Sequence, residues 1–490
     1  MDATTTPIAP LAPLEAGQEI DGFRLIERLH QGGMANLWSV THPDHADPML
    51  MKVPRIKGGE DPATIVGFEV EMMILPMLRG PHVPRFIAKG DYATRPYIVM
   101  ERLDGDSLRP RLDAAPLPFD EVARIGTKVA TALHDLHRQH VIHLDIKPSN
   151  IMFRRGADGA WAEAVLVDFG LSRHDHLPDL LDEEFNLPMG TGPYMSPEQV
   201  QFVRNEPRSD LFALGVMLYH LTTGERPFGA PSSVRGLRER LYKEPVPPRN
   251  LRPDCPPWLQ EVILRCLEVK ADARHPSAAH LAQDLANPAQ VKLTERAQRA
   301  SAGTKVGLFK RWFSAVGADP SGASRGVGEQ LKRAPIIMVA VDVEGATDEL
   351  LGLLRETVRR IVAAEPGARL ACISVMKTAR IGMDELTDAD GQSRHVKQLV
   401  GLKHWARPIQ QTLADEDHRL TFHVLEAPDP ATSIVEFAHK TQVDHVVMGA
   451  RGNSALRRYL GSVSSEVVAK ADCTVTVVRV PGHGHAAPEA

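Results

Sequence analysis

The chain of 490 residues is too long for one ordinary hydrophobic core, so we expect two domains of roughly 150 to 250 residues each. A net charge of -5 argues against a nucleic-acid partner, and the four scattered cysteines form neither a disulfide framework nor a zinc motif. No secretion signal opens the sequence and no stretch approaches the roughly 20 apolar residues of a spanning helix, so we expect a cytoplasmic protein without a transmembrane segment.

The elements predicted up to residue 286 fall into a β-rich part and a helical part. Residues 1–21 are rich in Pro, Thr and Ala and are predicted to be a disordered lead. Short apolar runs such as "FRLIERL", "PMLMKV" and "RPYIVMERL" predict strands up to about residue 110, with one helix near 63–79. Beyond residue 118, "FDEVARIGTKVATALHDLHRQH" has apolar positions at helical spacing. We therefore predict an α+β domain of two lobes over 22–286.

The stretch "VIHLDIKPSN" combines the side chains that phosphoryl transfer needs. Asp145 is predicted to accept the proton of the attacking hydroxyl, and Lys147 to lie over the γ-phosphate. Asn150 and, further along, Asp168 of "VLVDFG" are predicted to hold a magnesium ion through their oxygens. Together they predict a loop that transfers phosphate from a nucleotide.

Two residues upstream complete this arrangement. Lys52 ends the strand "PMLMK" and Glu71 lies on the predicted helix that follows, a spacing that allows an ion pair holding the α- and β-phosphates of ATP. With a glycine-rich segment before them and "DFG" and "GTGPYMSPE" after them, these signals closely resemble a bacterial protein Ser/Thr kinase of the eukaryotic-like type over 22–286. The resemblance implies the bilobal protein-kinase fold, ATP and Mg²⁺ as cofactors, and protein substrates phosphorylated on Ser or Thr.

The same resemblance assigns residues around the adenine ring. Met100 is implied to be the gatekeeper, Glu101 to Leu103 the hinge that binds adenine, and Met152 the surface beneath the ring. These positions predict an ATP site between the two lobes.

Other residues are implied to be structural. Glu198 of "SPE" is expected to pair with Arg274 of "DARHP", and Asp210 is expected to brace the catalytic loop from a buried helix. Thr191 is expected to support the catalytic Asp145 directly.

The sequence departs from the family at the nucleotide loop. "LHQGGMANLWSV" keeps Gly32 and Gly33, which are predicted to contact ATP, while His30 and Ala35 replace two other glycines of the pattern. Leu50 stands where the family usually has a small Ala above adenine. We expect from these changes a lower affinity for ATP or a differently shaped pocket.

A second departure is Leu144, immediately before the catalytic Asp145. In the family, an Arg at this position commonly binds a phosphorylated residue of the activation segment. Leucine cannot do so, and the segment "LSRHDHLPDLLDEEFNLPMGTG" has few hydroxyls, Ser172 and Thr191, beside several acids. Our hypothesis is that activity does not depend on phosphorylation of this segment and is controlled elsewhere.

The alternative is a pseudokinase, an adenylate-sensing scaffold without turnover. Such proteins have usually lost a catalytic Lys, Asp or Asn. This chain retains Lys52, Glu71, Asp145, Lys147, Asn150 and Asp168. The retained set favours catalysis.

A basic linker over 287–333 is predicted to lead into a second domain over 334–480, with a tail at 481–490. The run "APIIMVAVDV" is typical of a strand buried on both faces. Strands and helices then alternate to the end of the domain, which predicts an α/β doubly wound parallel sheet.

The stretch "GARGNSALRRYLGSVSSEV" predicts a phosphate site in that domain. Gly449 and Gly452 follow a strand, and Gly461 with Ser462 opens a helix, so bare amides and a hydroxyl are brought together. The spacing resembles the universal stress protein family, of flavodoxin-like fold, although the gap before Gly461 is one residue shorter. Asp342 matches the family's adenosine-contacting Asp. The resemblance implies a second nucleotide site for ATP or ADP.

The other reading of this domain is a nucleotide-free module that forms a homodimer through the edge strand "CTVTVVRV". Under either reading we expect it to regulate the kinase. Self-phosphorylation at Ser301, Thr304 or Ser314 of the linker is left open by the sequence.

Overall fold

The computed structural model describes most of the chain. The described ranges are 14–31, 35–55, 62–92, 95–156, 159–185, 187–300, 334–365, 367–378, 393–412, 419–450 and 462–480. Among the helices in these ranges, none has the length and apolar character needed to cross a bilayer.

The first lobe is a six-stranded antiparallel sheet with one helix. The sheet order is β1-β2-β3-β4-β6-β5. Its elements are β1 (Glu19–Ile20), β2 (Phe23–Gln31), β3 (Ala35–His42), β4 (His45–Pro54), α1 (Pro62–Ile74), β5 (Phe86–Lys89) and β6 (Ile98–Glu101). The helix predicted near 63–79 is thus α1 followed by a 3₁₀ turn, Leu75–Met77.

Strand β4 shows how the sequence divides the two faces of this sheet. Met49, Met51 and Val53 point into one buried cluster with Trp38 and Leu25. Because side chains alternate along a strand, Leu50 and Lys52 face the opposite side. That side is where the two lobes meet, so β4 presents its only lysine to the cleft between them.

The second lobe is mainly helical. Its elements are α2 (Arg109–Asp113), α3 (Phe119–Arg138), β7 (Val141–Ile142), β8 (Ile151–Arg155), β9 (Trp161–Leu166), β10 (Arg173–His174), α4 (Leu180–Glu184), α5 (Pro197–Val200), α6 (Arg208–Thr223), α7 (Val234–Arg238), α8 (Pro248–Leu251), α9 (Pro257–Cys266), α10 (Ala278–Ala286) and α11 (Glu295–Gln298). The predicted β-rich lobe and helix-rich lobe are therefore confirmed.

Helix α6 is the centre of the second lobe. Nearly all of its side chains are buried, and it packs against α3 and α9. The helix ends at Gly224, whose φ of 79° is left-handed and whose amide donates to the carbonyl of His220. Asp210 lies in the first turn of this buried helix, so its carboxylate is held at a fixed point below the catalytic loop.

The C-terminal domain is a five-stranded parallel sheet with helices on both faces. Its elements are β11 (Ile336–Ala340), α12 (Asp348–Ala364), β12 (Arg369–Lys377), α13 (Arg394–Thr412), β13 (Leu420–Ala427), α14 (Pro430–Lys440), β14 (His445–Gly449), α15 (Ser462–Lys470) and β15 (Thr474–Val478). The sheet order is β13-β12-β11-β14-β15. The predicted doubly wound parallel sheet is confirmed.

The two faces of this sheet have separate buried clusters. One joins the sheet to α12 and α13 and contains Leu354 and Trp405. The other joins it to α14 and α15 and contains Phe437 and Val467. Strands β13 and β15 are the two edges.

Candidate active site

Lys52 connects the two lobes. Its Nζ lies 2.5 Å from Oε2 of Glu71 on α1 and 2.8 Å from Oδ1 of Asp168. Glu71 is 2% exposed, so the carboxylate has no bulk water to replace this partner. The ion pair predicted between Lys52 and Glu71 is therefore present in the structure, and Asp168 joins it.

Charge and burial oppose each other in this group. Burial lowers the pKa of Lys52, but the carboxylates of Asp168 and Glu71 outweigh it and leave the pKa above its ordinary value. The charge of Lys52 lowers the pKa of Asp168 to about 2. Burial raises the pKa of Glu71, and the ion pair with Lys52 acts in the opposite direction. Lys52 therefore stays a cation and Asp168 an anion, the states that phosphate and metal binding require.

Asp145 is held by residues on both sides of it. Lys147 Nζ lies 2.6 Å from its Oδ2, and Asn150 Nδ2 donates to its carbonyl at 3.0 Å. The hydroxyl and amide of Thr191 both donate to Oδ1, at 2.7 and 3.1 Å. The structure thus brings Asp145, Lys147, Asn150 and Thr191 into one group, with Asp145 at its centre.

Asn150 and Asp168 offer oxygens suited to a divalent cation. The amide nitrogen of Asn150 faces Asp145, so its Oδ1 points away and accepts a hydrogen bond from Ser149 at 3.2 Å. Asp168 has a left-handed φ of 67°, and its Oδ1 faces Lys52 in the cleft. A carboxylate oxygen and an amide oxygen are ligands that Mg²⁺ accepts, so the donor set fits the ion.

Asp210 fixes the backbone of the catalytic loop. Its carboxylate accepts the amides of His143 and Leu144, each at 2.9 Å, and also contacts His137 Nε2 at 2.9 Å. Leu144 has a φ of 60°, which is unfavourable for a side chain of its size. The two hydrogen bonds stabilise that conformation, and with it the direction of the neighbouring Asp145.

The segment that follows Asp168 is held in place by an ion pair after its end and by a buried hydrogen bond near its start. Arg274 Nη2 lies 2.8 Å from Glu198 Oε1, as expected from the sequence. Ser172 is 1% exposed and its hydroxyl donates to the carbonyl of His143 at 3.1 Å. Because that hydroxyl is buried and bonded, Ser172 is a poor target for phosphorylation in this conformation.

The residues predicted to surround adenine lie on β6 and just after it in the first lobe, and on β8 in the second lobe. Met100 is buried and lies opposite Leu50 in the sheet. Leu103 follows β6, and Met152 on β8 is partly exposed. The sequence did not predict that Arg154 would form a bidentate pair with the side chain of Glu101. This pair holds the Glu101 side chain against β8 of the second lobe.

Part of the predicted nucleotide chemistry lies outside the described residues. This applies to Gly32 and Gly33 of the first lobe and to Gly452 and Gly461 of the C-terminal domain. Of the remaining C-terminal residues, Asp342 accepts the amide of Gly345 at 2.9 Å, and Ser462 opens α15 with an exposed side chain. Asp342 and Gly449 follow and end the neighbouring parallel strands β11 and β14, so both lie at one end of the sheet.

Comparison with known proteins agrees with this fold. The profile of the Protein kinase domain family matches residues 23–285, more than half of the chain, and that of the Universal stress protein family matches residues 335–479. The chain therefore belongs to the protein kinase family and carries a C-terminal universal stress protein domain.

Curated relatives are bacterial. The chain is 32% identical over 273 residues to the Serine/threonine-protein kinase PknB of Mycolicibacterium smegmatis. The matched region covers 54% of this chain and 42% of the relative. It is 29% identical over 316 residues to Serine/threonine-protein kinase Pkn1 of Myxococcus xanthus, covering 63% and 44%. The chain thus spans less than half the length of these relatives. Among solved structures, the kinase domain of Mycobacterium tuberculosis PknI matches at 23% identity with a TM-score of 0.44, covering 56% of this chain and 99% of that domain.

Proposed function

We propose that this protein is an ATP- and Mg²⁺-dependent protein kinase that phosphorylates Ser and Thr hydroxyls of protein substrates. The observation that carries the proposal is the position of Lys52, within 2.8 Å of both Glu71 and Asp168. Formation of this ion pair beside the metal-binding Asp is a requirement for phosphoryl transfer in protein kinases. The proposal is also supported by the family to which the chain belongs and by relatives that are named Ser/Thr kinases.

In the proposed reaction the catalytic loop acts on the protein substrate. Asp145 accepts a hydrogen bond from the attacking hydroxyl and takes its proton as the new O–P bond forms. The bond between the γ-phosphorus and the β-γ bridging oxygen breaks, and ADP leaves. Lys147 neutralises charge on the phosphate in transfer, a role that its contact with Asp145 supports.

The first lobe and the metal ligands act on ATP. Lys52 binds the α- and β-phosphates and is itself positioned by Glu71. Asn150 and Asp168 would hold Mg²⁺, which neutralises charge on the phosphates when it is bound. Gly32 and Gly33 are proposed to cover those phosphates with their backbone amides.

For adenine, we propose the backbone of Glu101 to Leu103 as the hydrogen-bonding edge, Met100 as the gatekeeper and Met152 as the contact beneath the ring. The pairing of Leu50 with Met100 across the sheet supports this assignment. It brings Leu50, which is larger than the family's usual Ala, to the same wall of the cleft as Met100.

We also propose a second nucleotide site in the C-terminal domain, formed by Asp342, Gly449, Gly452, Gly461 and Ser462. Ligands of open parallel sheets bind beyond the carboxyl ends of the strands, and Asp342 and Gly449 share that end. A homodimer through β15 and self-phosphorylation are proposed with it, and so is a cytoplasmic location, where ATP is abundant.

Transfer of labelled phosphate tests the kinase proposal. The full chain is incubated with Mg²⁺, labelled ATP and a generic basic protein, beside Asp145→Asn and the control Asp120→Asn, which makes the same change at an exposed ion pair on α3. We expect incorporation in the wild type and the control and none in Asp145→Asn. Binding of ATP without incorporation by any of the three would instead show an adenylate-sensing scaffold.

A further inference from the structure

The C-terminal domain contacts the activation segment through two adjacent acids of α4. Arg369 of β12 donates to both oxygens of Glu183, from Nη1 and Nη2 at 2.7 Å each. Both side chains are largely buried, at 15% and 12% exposure. A bidentate, charge-assisted pair of this kind has a defined geometry and is strong where water is excluded. Glu183 is therefore fixed by a residue far away in the sequence.

The neighbouring acid is fixed by the next strand. His423 Nδ1 lies 2.9 Å from Glu184 Oε1, and both side chains are almost fully buried. Burial raises the pKa of Glu184 and lowers the pKa of His423, and both shifts favour the neutral form of the group. Thr421 joins the two contacts, since its hydroxyl accepts from Arg369 at 2.9 Å and lies 3.0 Å from His423 Nε2.

A third contact reaches helix α1. Lys403 of α13 lies 2.5 Å from Glu69, two residues before Glu71. The Lys403 ammonium also lies over the ring of Tyr92 at 4.8 Å. Cation-π contact and ion pairing together hold this lysine at the first lobe. The helix that positions Lys52 is therefore attached to the C-terminal domain.

Apolar packing supports the three polar contacts. Leu399, Val400, Val424 and Met376 of the C-terminal domain belong to the same buried cluster as several kinase residues. These kinase residues are Phe68 of α1 and Leu180 and Leu181 of α4. Because one cluster includes α1, α4 and the C-terminal domain, none of the three can move without disturbing the packing of the others.

We propose that Arg369, Lys403 and His423, here called the docking face, position helix α1 and the activation segment for catalysis. The inference rests on the proposed kinase function. Kinases become active when the helix that carries the Glu and the activation segment are both in place, commonly through phosphorylation. Leu144 cannot bind such a phosphate. Instead, Arg369 pairs with Glu183 of the activation segment, and Lys403 pairs with Glu69 of α1.

The direction of the effect follows from the state of the site. The docking face contacts the kinase in this structure, and at the same time Lys52 pairs with Glu71 and Thr191 donates a hydrogen bond to Asp145. An inhibitory contact would be expected to hold one of these apart. The docking face is therefore activating, and its three residues are positioning residues because they act through Glu183, Glu184 and Glu69.

A charge-reversal cycle in the full chain tests this proposal. Arg369→Glu and Glu183→Arg each place like charges together, and the double variant restores an ion pair. We expect each single variant to lose at least about tenfold in kcat and the double variant to recover most of it, a coupling within the range measured for residues in contact. Arg360→Glu, the same change at an exposed position of α12, is the control and should keep full activity.

Amide hydrogen exchange on the same samples separates positioning from loss of fold. The single variants should exchange faster in Leu180–Glu184 and α1 while the C-terminal strands stay protected. If Arg369→Glu unfolds the C-terminal domain, Lys403→Met serves instead, and it should lower kcat with faster exchange in α1 alone. Single variants as active as the wild type, or more active, would overturn the inference. An inactive wild type would overturn the proposed function. In that case, amide exchange that is the same in the single variants as in the wild type would still refute the docking contact.

Discussion

Thr191 donates its hydroxyl and its backbone amide to the same oxygen of Asp145, at 2.7 and 3.1 Å. This contact joins the end of the activation segment to the proposed catalytic base, so the base is correctly oriented only when the segment is in place. Thr191→Ala removes the hydroxyl and keeps the amide. One hydrogen bond to a charged group contributes about 1.5–3 kcal/mol, so we expect kcat to fall roughly 10- to 100-fold. Thr191→Ser should keep most of the activity, and equal losses in both variants would contradict this role.

Asp210 supports two backbone amides that no other side chain reaches in the described residues. Asp210→Asn keeps the shape but offers one oxygen, so one of the amides of His143 and Leu144 loses its acceptor. A buried donor without a partner costs about 1–3 kcal/mol. We expect a lower melting temperature and a lower kcat, measured by calorimetry and phosphate transfer. An unchanged melting temperature would show that the left-handed Leu144 does not need this support.

Ser172 distinguishes structural from regulatory hydroxyls. Ser172→Ala removes the hydrogen bond from the Ser172 hydroxyl to the carbonyl of His143. Under our hypothesis, activity does not require phosphorylation of Ser172. We expect activity to stay close to that of the wild type and the free energy of unfolding to fall by about 1 kcal/mol. Ser172→Asp should be worse than Ser172→Ala, because a carboxylate would be buried where the serine is 1% exposed. If instead Ser172→Ala abolished activity and Ser172→Asp restored it, the enzyme would depend on phosphorylation there.

Leu50 tests the shape of the adenine wall. It lies opposite Met100 and on the same face of β4 as Lys52. Leu50→Ala should make room above adenine and lower the KM for ATP several-fold, with little change in kcat. Met51→Ala on the opposite face is the matched comparison, and it should lower stability by about 2–5 kcal/mol because Met51 is fully buried. A higher KM in Leu50→Ala would mean that the leucine packs on the nucleotide.

Local motifs predicted most of the first site. Lys52, Glu71, Asp145 and Asn150 each lie in a short stretch whose residue types and order indicate their role, and the alternating pattern of β4 predicts the face on which Lys52 lies. The pairs between Glu198 and Arg274, and between Asp210 and the catalytic loop, followed from the same resemblance. These contacts join residues far apart in the chain, so they were predictable from the family resemblance and not from the local sequence alone.

The docking face was not predictable in this way. Arg369 and Glu183 are 186 positions apart, and neither lies in a motif. Their contact depends on how the kinase and the C-terminal domain pack against each other, which no periodicity or spacing in the sequence encodes. The sequence did suggest the question, because Leu144 and the acids of "DLLDEE" imply control by something other than a phosphate.

The kinase contacts the C-terminal sheet at one of its two edges. The kinase lies at β13, while β15 is at the far edge with strands β12, β11 and β14 between them. A second copy of the chain that pairs along β15 would extend the sheet without meeting the kinase. Dimerisation through β15 and docking of the kinase at β13 could therefore occur in the same molecule. A signal that acts through the dimer would have to cross the whole sheet, past the carboxyl ends of β11 and β14 where the second nucleotide is proposed to bind.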